Sequence, residues 1–190
     1  MLDIIRQGFD ESIRVKRECR NRLPKKIEIL VQKMIVAYEN DSKCLFFGNG
    51  GSAADAQHAA GELIGHFDLD RLPIPAIALT TDTSVITCIS NDYSNKNVFS
   101  RQVAGLGLPG DIAIGFSTSG NSKNVVNVIE KSGDKALYTV AFTGQSGGKL
   151  RDRVDLLINV PSTSTPRIQE CHITIIHILC KIIEEKLFMN

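Results

Sequence analysis

Short apolar runs alternate with helical stretches over much of this sequence, and this alternation restricts the possible folds more than any other feature. Several of the runs are apolar at successive positions, as expected for strands that are covered on both faces. Strands that alternate with helices form βαβ units and a parallel sheet. The sequence therefore predicts an α/β fold with a flavodoxin-like, doubly wound sheet of five parallel strands, at residues 43–47, 75–79, 111–116, 137–142 and 154–160.

Helical spacing continues on both sides of the predicted sheet. Two helices precede the first strand, and Pro24 suits the first turn of the second helix. The last helix is predicted at residues 166–187, with Thr165 as its N-cap. Its stretch HITIIHILCKII is apolar on nearly all sides, which indicates burial in the core or against another subunit. The chain length of 190 residues suits one domain, residues 1–190, with residues 1–40 packed on it as a helical segment.

Composition and charge narrow the range of partners and compartments. The net charge of +1 argues against a protein that coats nucleic acid. No apolar run approaches the roughly 18 residues of a membrane-spanning helix, and charges occur throughout the N-terminal stretch, unlike in a signal peptide. Five cysteines, an odd number without a CxxC pair, are typical of reduced thiols. We therefore expect a cytoplasmic protein without a nucleic-acid or membrane partner.

The segment after the first predicted strand, GNGGSAAD at residues 48–55, is a candidate binding loop because ligands of open parallel sheets bind at the carboxyl ends of strands. Its glycines allow a tight turn, and Ser52 opens the next helix, whose N–H groups favour an anion. The spacing Gly48-x-Gly50-x-x-Ala53 also fits a relaxed dinucleotide fingerprint. The acidic residue that this fingerprint needs about 20 residues later is out of place, so we expect no nucleotide cofactor. A turn without a ligand also fits this motif.

The segment after the third predicted strand, GFSTSGNS at residues 115–122, gives the stronger signal. Four hydroxyls, from Ser117, Thr118, Ser119 and Ser122, precede a helix and can donate to phosphate oxygens together with backbone N–H groups. The chain has no GxxxxGK[ST] motif, which excludes a nucleotide P-loop. Mostly neutral donors favour a small monophosphate. A serine-rich N-cap without a ligand would not need so many hydroxyls.

Acid–base candidates lie on two of the predicted helices. His58 and Glu62 are four residues apart and share one helix face. On the last helix, Gln169 and His177 lie about 80° apart on a helical wheel and can line one cavity, with His172 as an alternative to His177. A carboxylate and an imidazole beside a phosphate site suit proton transfer next to a sugar carbonyl. The same set, His58, Glu62, Gln169 and His177, can also bind zinc, and the residues alone do not rank the two roles.

Several motifs together resemble bacterial phosphoheptose isomerases (sedoheptulose 7-phosphate isomerases) of the SIS domain superfamily. The resemblance covers nearly the whole chain. It rests on GNGGSAADAQHAAGEL, ALTTDTS, NDYSNKNVFSRQV, GDIAIGFSTSGNS, AFTGQSGGKL and RIQECHITIIHILC.

The resemblance implies conversion of sedoheptulose 7-phosphate to D-glycero-D-manno-heptose 7-phosphate, the first step towards the heptose of lipopolysaccharide. It also implies a homotetramer with active sites at subunit interfaces. Glu62 would be the base and His177 the acid. The residues that would contact substrate are Asn49, Gly50, Gly51, Ser52, Glu62, Asn91, Asp92, Ser117, Thr118, Ser119, Ser122 and Gln169. The positions at which relatives can hold one zinc ion per subunit are His58, Glu62, Gln169 and His177.

One position departs from the family pattern. His66 stands where relatives commonly carry Arg, so a charge near the substrate becomes dependent on pH. A non-catalytic relative, the DnaA initiator-associating protein, is the alternative. That relative looks like a SIS protein that has lost the catalytic Glu and the second His, whereas this chain has Glu62 and His177. The enzyme is therefore favoured. A sugar-phosphate-sensing regulator is less favoured because the chain has no length for a DNA-binding module.

Overall fold

The computed structural model describes residues 1–189 and contains five strands and seven α-helices within them. Two short 3₁₀ helices, Asn95–Asn97 and Gly148–Leu150, complete the regular structure. The helices are α1 (Leu2–Arg22), α2 (Pro24–Glu39), α3 (Gly51–Ile64), α4 (Thr83–Asp92), α5 (Val98–Leu106), α6 (Lys123–Gly133) and α7 (Thr165–Phe188). The strands are β1 (Cys44–Gly48), β2 (Ala76–Ala78), β3 (Ile112–Ser117), β4 (Tyr138–Thr143) and β5 (Leu156–Asn159).

The five strands form one parallel sheet in the order β2-β1-β3-β4-β5, which confirms the predicted doubly wound fold. Each predicted run overlaps one strand, and the bounds differ by up to two residues. β3 continues to Ser117, so the first serine of the candidate phosphate loop belongs to the strand. β5 lies at the edge of the sheet and alternates between buried and half-buried residues, because successive side chains point to opposite faces, of which one is less covered.

Helices cover both faces of the sheet because alternate residues of each strand point in opposite directions. Phe46 and Ile114 belong to the core on the side of α1, α2, α3 and α7. Leu45 and Phe47, on either side of Phe46 in the sequence, belong to the core on the side of α4, α5 and α6. Burial of each such large side chain stabilises the fold by roughly 1.5–3 kcal/mol.

The terminal helices differ in detail from the sequence prediction. Helix α7 begins at Thr165 with Ser164 as its N-cap, so the prediction of Thr165 as N-cap was wrong by one residue. Ser164 is the residue with extended backbone angles, and Pro166 occupies the first turn, where no N–H is needed. Helix α1 has an exposed apolar stripe of Leu2, Ile5, Phe9 and Ile13. Within residues 1–189, no helix combines the length and the apolar character that crossing a bilayer requires.

The candidate site lies where the strand order changes direction. After β1 the chain adds β2 on one side of β1, whereas β3 pairs on the other side. Gly48 at the end of β1 lies beside Phe116, which precedes Ser117 at the end of β3. The two candidate loops therefore lie side by side at the carboxyl edge of the sheet, the usual ligand position in such folds.

Candidate active site

The serine-rich segment forms a compact turn between β3 and α6. The Oγ atoms of Ser117 and Ser122 lie 3.0 Å apart, and the Asn121 N–H donates to Ser119 Oγ at 3.1 Å. Ser122 is the N-cap of α6, yet its side chain makes no capping bond to the helix. Its hydroxyl and the first N–H groups of α6 therefore converge at the helix N-terminus, an arrangement that favours an anion.

The loop after β4 supports this serine turn from one side. The Gly144 N–H donates to the Thr118 carbonyl at 2.9 Å, and the Lys149 N–H donates to Asn121 Oδ1 at 3.1 Å. Gly120 has a φ of +67°, and a Cβ atom there would overlap the Gly147 carbonyl. Only glycine fits this position without strain, so the turn geometry depends on it.

The glycine loop after β1 is tied to the serine turn by a pair of asparagines. The amide nitrogen of Asn124 donates to Asn49 Oδ1, and that of Asn49 donates to Asn124 Oδ1, both at 2.9 Å. Asn124 also donates to Asn95 at 3.3 Å and is buried within the first turn of α6. Sequence reasoning missed Asn124. The signal available in the sequence was a polar amide side chain directly before the valines that follow the serine turn.

Helices α3 and α7 lie side by side and run in the same direction. Gly51 contacts Gln169 near their N-terminal ends, and His58 meets His177 further along. Small residues on α3 permit this close approach. They are Ala56, Ala59 and Ala60, all of them buried.

Three of the predicted residues form a cluster within one chain. His58 Nε2 lies 2.8 Å from Glu62 Oε1 and 3.2 Å from His177 Nε2. The three potential ligand atoms all lie within 4.8 Å of one another. Glu62 and His177 are half-buried and His58 is exposed, so a ligand can reach the cluster from solvent.

The cluster fits a metal ion on the chemistry of its donors. A single ring nitrogen of His58 cannot donate one proton to both of its neighbours. Two imidazole nitrogens and a carboxylate oxygen that converge on one point instead suit a shared cation, and this donor set is typical of zinc.

Gln169 lies apart from this cluster. Its amide packs over Gly51, where a Cβ atom would lie 2.8 Å from the Gln169 Oε1 and would overlap the amide nitrogen. His177 is eight residues further along α7, a rise of about 12 Å. The wheel angle of 80° placed both residues on neighbouring faces of α7 but took no account of this separation along the axis.

His172, the alternative to His177, points into the core instead of the cluster. The residue is completely buried, its ring contacts Phe116 and Phe142, and its Nε2 lies 3.3 Å from the Thr143 carbonyl oxygen. Burial lowers the pKa of His172 to about 4. The ring is therefore neutral at pH 7, and its Nε2–H donates to Thr143.

Asp55 faces the other nitrogen of this ring. Asp55 Oδ2 lies 4.0 Å from His172 Nδ1, and neither atom has a hydrogen-bond partner among residues 1–189. Burial raises the pKa of Asp55 to about 6, although the charge of His58 lowers it somewhat. Two acceptor atoms thus face each other beyond hydrogen-bond distance, and protonation of the carboxyl would remove the negative charge that faces the ring.

Two further predicted residues, Asn91 and Asp92, lie at the exposed end of α4. Asn91 donates to Asp92 Oδ1 at 2.8 Å, and the Cys88 thiol donates to Asp92 Oδ2 at 3.4 Å. Across the described part of the chain, their side chains make no hydrogen bond to the serine turn or to the histidine cluster. His66 is exposed in the segment after α3.

The cysteines have the character expected from the sequence. Four are buried and Cys88 is exposed. Burial raises the pKa values of Cys44 and Cys180 to about 12, so both are protonated thiols at neutral pH. These two cysteines therefore do not supply a nucleophile.

Comparison with known proteins places this geometry in a family. The SIS domain family model matches residues 9–144. Phosphoheptose isomerase of Aquifex aeolicus is 48% identical over 185 residues, covering 97% of each sequence. Phosphoheptose isomerase 2 of Campylobacter jejuni is 50% identical over 186 residues, covering 97% of this chain and 92% of that protein. The solved structure of a phosphoheptose isomerase from Neisseria gonorrhoeae has a TM-score of 0.93 and 43% identity, covering 97% of this chain and 98% of that one.

These relatives match nearly the full length, including both loops at the strand ends and the two helices that carry the histidine cluster. The family resemblance inferred from the sequence motifs is therefore confirmed. The chain belongs to the SIS domain family and, within it, to the phosphoheptose isomerases, which are aldose–ketose isomerases.

Proposed function

We propose that this protein converts sedoheptulose 7-phosphate to D-glycero-D-manno-heptose 7-phosphate. The observation that carries the proposal is the cluster of Glu62, His58 and His177 on α3 and α7. The N-terminal halves of these two helices flank the serine turn, which is of a phosphate-binding type. Relatives at 48–50% identity are named phosphoheptose isomerases, which supports the choice of a heptose phosphate.

The serine turn would hold the phosphate of the substrate. Ser117, Thr118, Ser119 and Ser122 supply hydroxyls, and the N-terminus of α6 supplies backbone N–H groups and the positive end of the helix dipole. These donors are neutral, which suits a monophosphate that must also dissociate. The glycine loop, through Asn49, Gly50, Gly51 and Ser52, would contact the sugar chain from the neighbouring strand end. Asn91 and Asp92 would complete the substrate contacts.

Glu62 would remove a proton from C1 of the ketose. Its Oε1 bonds to His58, whereas its Oε2 makes no hydrogen bond within residues 1–189 and is free to face the substrate. The electrons of the broken C1–H bond form the C1–C2 double bond, and the electrons of the C2 carbonyl move onto O2, which takes up the proton of the C1 hydroxyl. His177 would then return a proton to C2 while the C1–O1 bond becomes the aldehyde carbonyl and O2 remains as the C2 hydroxyl. Each positioned acid or base typically contributes 10²–10⁴-fold to the rate.

His58, Glu62 and His177 would hold zinc, His177 through its Nε2, so that the proton His177 returns to the substrate would come from its Nδ1. When bound, zinc would polarise the carbonyl and stabilise the negative charge that develops on the substrate oxygens. Gln169 is assigned first to the substrate because its amide lies over Gly51 and not beside His177. With Oε1 of Glu62 turned to the cluster, Oε2 can still act on the substrate, so metal binding and proton transfer can be shared by one carboxylate.

The protein would act in the cytoplasm as a homotetramer, and its product would serve heptose synthesis for lipopolysaccharide. The exposed apolar stripe of α1 and an apolar groove of about 690 Å³ support self-association. The groove lies between α1, α2 and α7 and is lined by Ile27, Val31, Ile175 and Ile178 among others. Sedimentation equilibrium is expected to give four times the chain mass, and Ile178→Asp to give smaller species. A monomeric wild type would contradict this assembly.

The activity is tested with purified protein and sedoheptulose 7-phosphate, by following aldose formation with and without a chelator. Glu62→Gln is expected to lose at least 10²-fold in kcat, because the amide cannot accept the proton. Glu39→Gln, an exposed change at the end of α2, serves as the matched control and should retain the wild-type rate. No turnover by wild type under either condition would contradict the enzyme and favour the binding-only relative. Full activity of Glu62→Gln would contradict the choice of base.

A further inference from the structure

A buried ion pair lies behind the cluster, between the segment that follows α3 and the C-terminal part of α7. Arg71 Nε donates to Glu184 Oε1 at 2.9 Å, and the two side chains are only 2% and 1% exposed. Buried ion pairs contribute little net stability compared with apolar residues of similar size. The pair therefore calls for a reason beyond stability.

Glu184 binds the backbone of the segment that follows α3. Its carboxylate accepts hydrogen bonds from the N–H groups of Phe67 at 2.6 Å, Asp68 at 2.9 Å and Leu69 at 3.1 Å. Burial alone would raise the pKa of Glu184. The three N–H bonds and the charge of Arg71 outweigh burial, so that its pKa is lowered and the group is ionised at pH 7.

Arg71 holds the end of α3 that carries Glu62. Its Nη2 donates to the Glu62 carbonyl at 2.8 Å, and its Nη1 donates to the Leu63 carbonyl at 2.7 Å and to the Gly65 carbonyl at 3.3 Å. The last carbonyls of a helix have no partner within the helix, and a cation there also interacts favourably with the helix dipole. The guanidinium thus fixes the backbone of Glu62 directly.

The same segment reaches the second member of the proton-transfer pair. The Phe67 ring lies against His177, with 5.6 Å between ring centroids, and the Phe67 N–H is one of the three held by Glu184. One ion pair is therefore connected to the backbone of Glu62 and, through Phe67, to the imidazole of His177.

We propose that Arg71 and Glu184 are positioning residues that set the separation of Glu62 and His177. The inference rests on the proposed function for its kinetic consequence, but the geometric claim stands separately. A misplacement of about 1 Å between reacting groups can cost on the order of 10²-fold in rate. The serine turn lies on β3 and α6, which the ion pair does not contact, so substrate phosphate binding should be unaffected.

The test compares Glu184→Gln and Arg71→Lys with Lys181→Met as the matched control. Lys181 forms an exposed ion pair with Asp68 at 3.5 Å, between the same helix and the same segment, without contacting the backbone of Glu62. Steady-state kinetics on sedoheptulose 7-phosphate are measured together with inhibition by inorganic phosphate. Glu184→Gln is expected to lower kcat on the order of 10²-fold while KM and the phosphate inhibition constant change less than about threefold. Arg71→Lys should behave similarly, because lysine cannot reproduce the forked contacts.

A second readout needs no activity. With ¹³C-labelled histidine, the His177 ring resonance is expected to move in Glu184→Gln and Arg71→Lys, and to stay in place in Lys181→Met, because the Phe67 ring shifts relative to the imidazole. Circular dichroism selects variants that remain folded, and Glu184→Asp replaces Glu184→Gln if the latter does not fold. An unmoved His177 resonance, or a loss of activity carried by KM, would overturn the proposal. An inactive wild type with the expected resonance shifts would contradict the proposed function and leave the positioning role supported.

Discussion

Replacing Asp55 by asparagine is expected to make the stability of the protein depend more steeply on pH below 6.5. The neutral form of His172 is preferred in the folded state, since burial lowers its pKa from 6.5 to about 4. This stability is fully present above pH 6.5 and is lost as the pH falls towards 4, because the unfolded chain binds a proton first. Asp55 acts in the opposite sense, because burial raises its pKa from 3.8 to about 6. Its contribution is fully present below pH 3.8 and is lost as the pH rises through 6.

The magnitude follows from the two pKa values of His172. The difference between 6.5 and about 4 is about 2.5, and each pKa unit corresponds to about 1.4 kcal/mol. His172 alone would therefore cost up to about 3.5 kcal/mol of unfolding free energy between pH 6.5 and 4. In the wild type, proton uptake by Asp55 over an overlapping range offsets part of this loss. The Asp55 contribution is the smaller one because solvent still reaches part of its carboxyl.

The assay is urea unfolding at several pH values between 4 and 7, followed by circular dichroism. Asp55→Asn is expected to match or exceed wild-type stability at pH 7, where it removes a buried carboxylate oxygen without a partner, and to lose stability faster on acidification. Asp10→Asn, an exposed change on α1, should follow the wild-type curve. Parallel pH curves for Asp55→Asn and wild type would refute the opposing titration of Asp55 and His172.

Three other perturbations test separate parts of the structure. Gly120→Ala is expected to raise the inhibition constant of inorganic phosphate at least about tenfold, because its Cβ would overlap the Gly147 carbonyl at a φ of +67°, whereas Gly133→Ala meets no atom within 4 Å and should be neutral. Dialysis against a chelator is expected to abolish isomerisation and added Zn²⁺ to restore it. Unchanged activity in a metal-free sample would remove zinc from the mechanism. Asp111→Ala is expected to lower the unfolding free energy by about 3 kcal/mol, measured in urea, since the buried carboxylate accepts from the backbone N–H and the ammonium of Lys43.

The sheet and its two loops could be predicted because they depend on local patterns. Continuous apolar runs separated by helical spacing specify a parallel sheet, and the topology then places the glycine and serine loops at one edge. The pair of His58 and Glu62 was also accessible, since a spacing of four residues fixes a common face within one helix.

The relation between helices could not be predicted in the same way. Helical spacing gives the angle of Gln169, His172 and His177 around α7 but not the register of α7 against α3. The register decides that His177 meets His58 while Gln169 meets Gly51. The contact of Asn49 with Asn124 joins residues 75 positions apart, and that of Arg71 with Glu184 joins residues 113 positions apart. No local sequence pattern predicts contacts at such separations.

The most direct test of the proton-transfer account is isomerisation of sedoheptulose 7-phosphate in D₂O, with the product analysed by NMR. If Glu62 removes the C1 proton and His177 delivers a different one, the aldose should carry deuterium at C2, because the His177 proton exchanges with solvent. An aldose that retains protium at C2, or the absence of any aldose, would contradict the division of roles between Glu62 and His177.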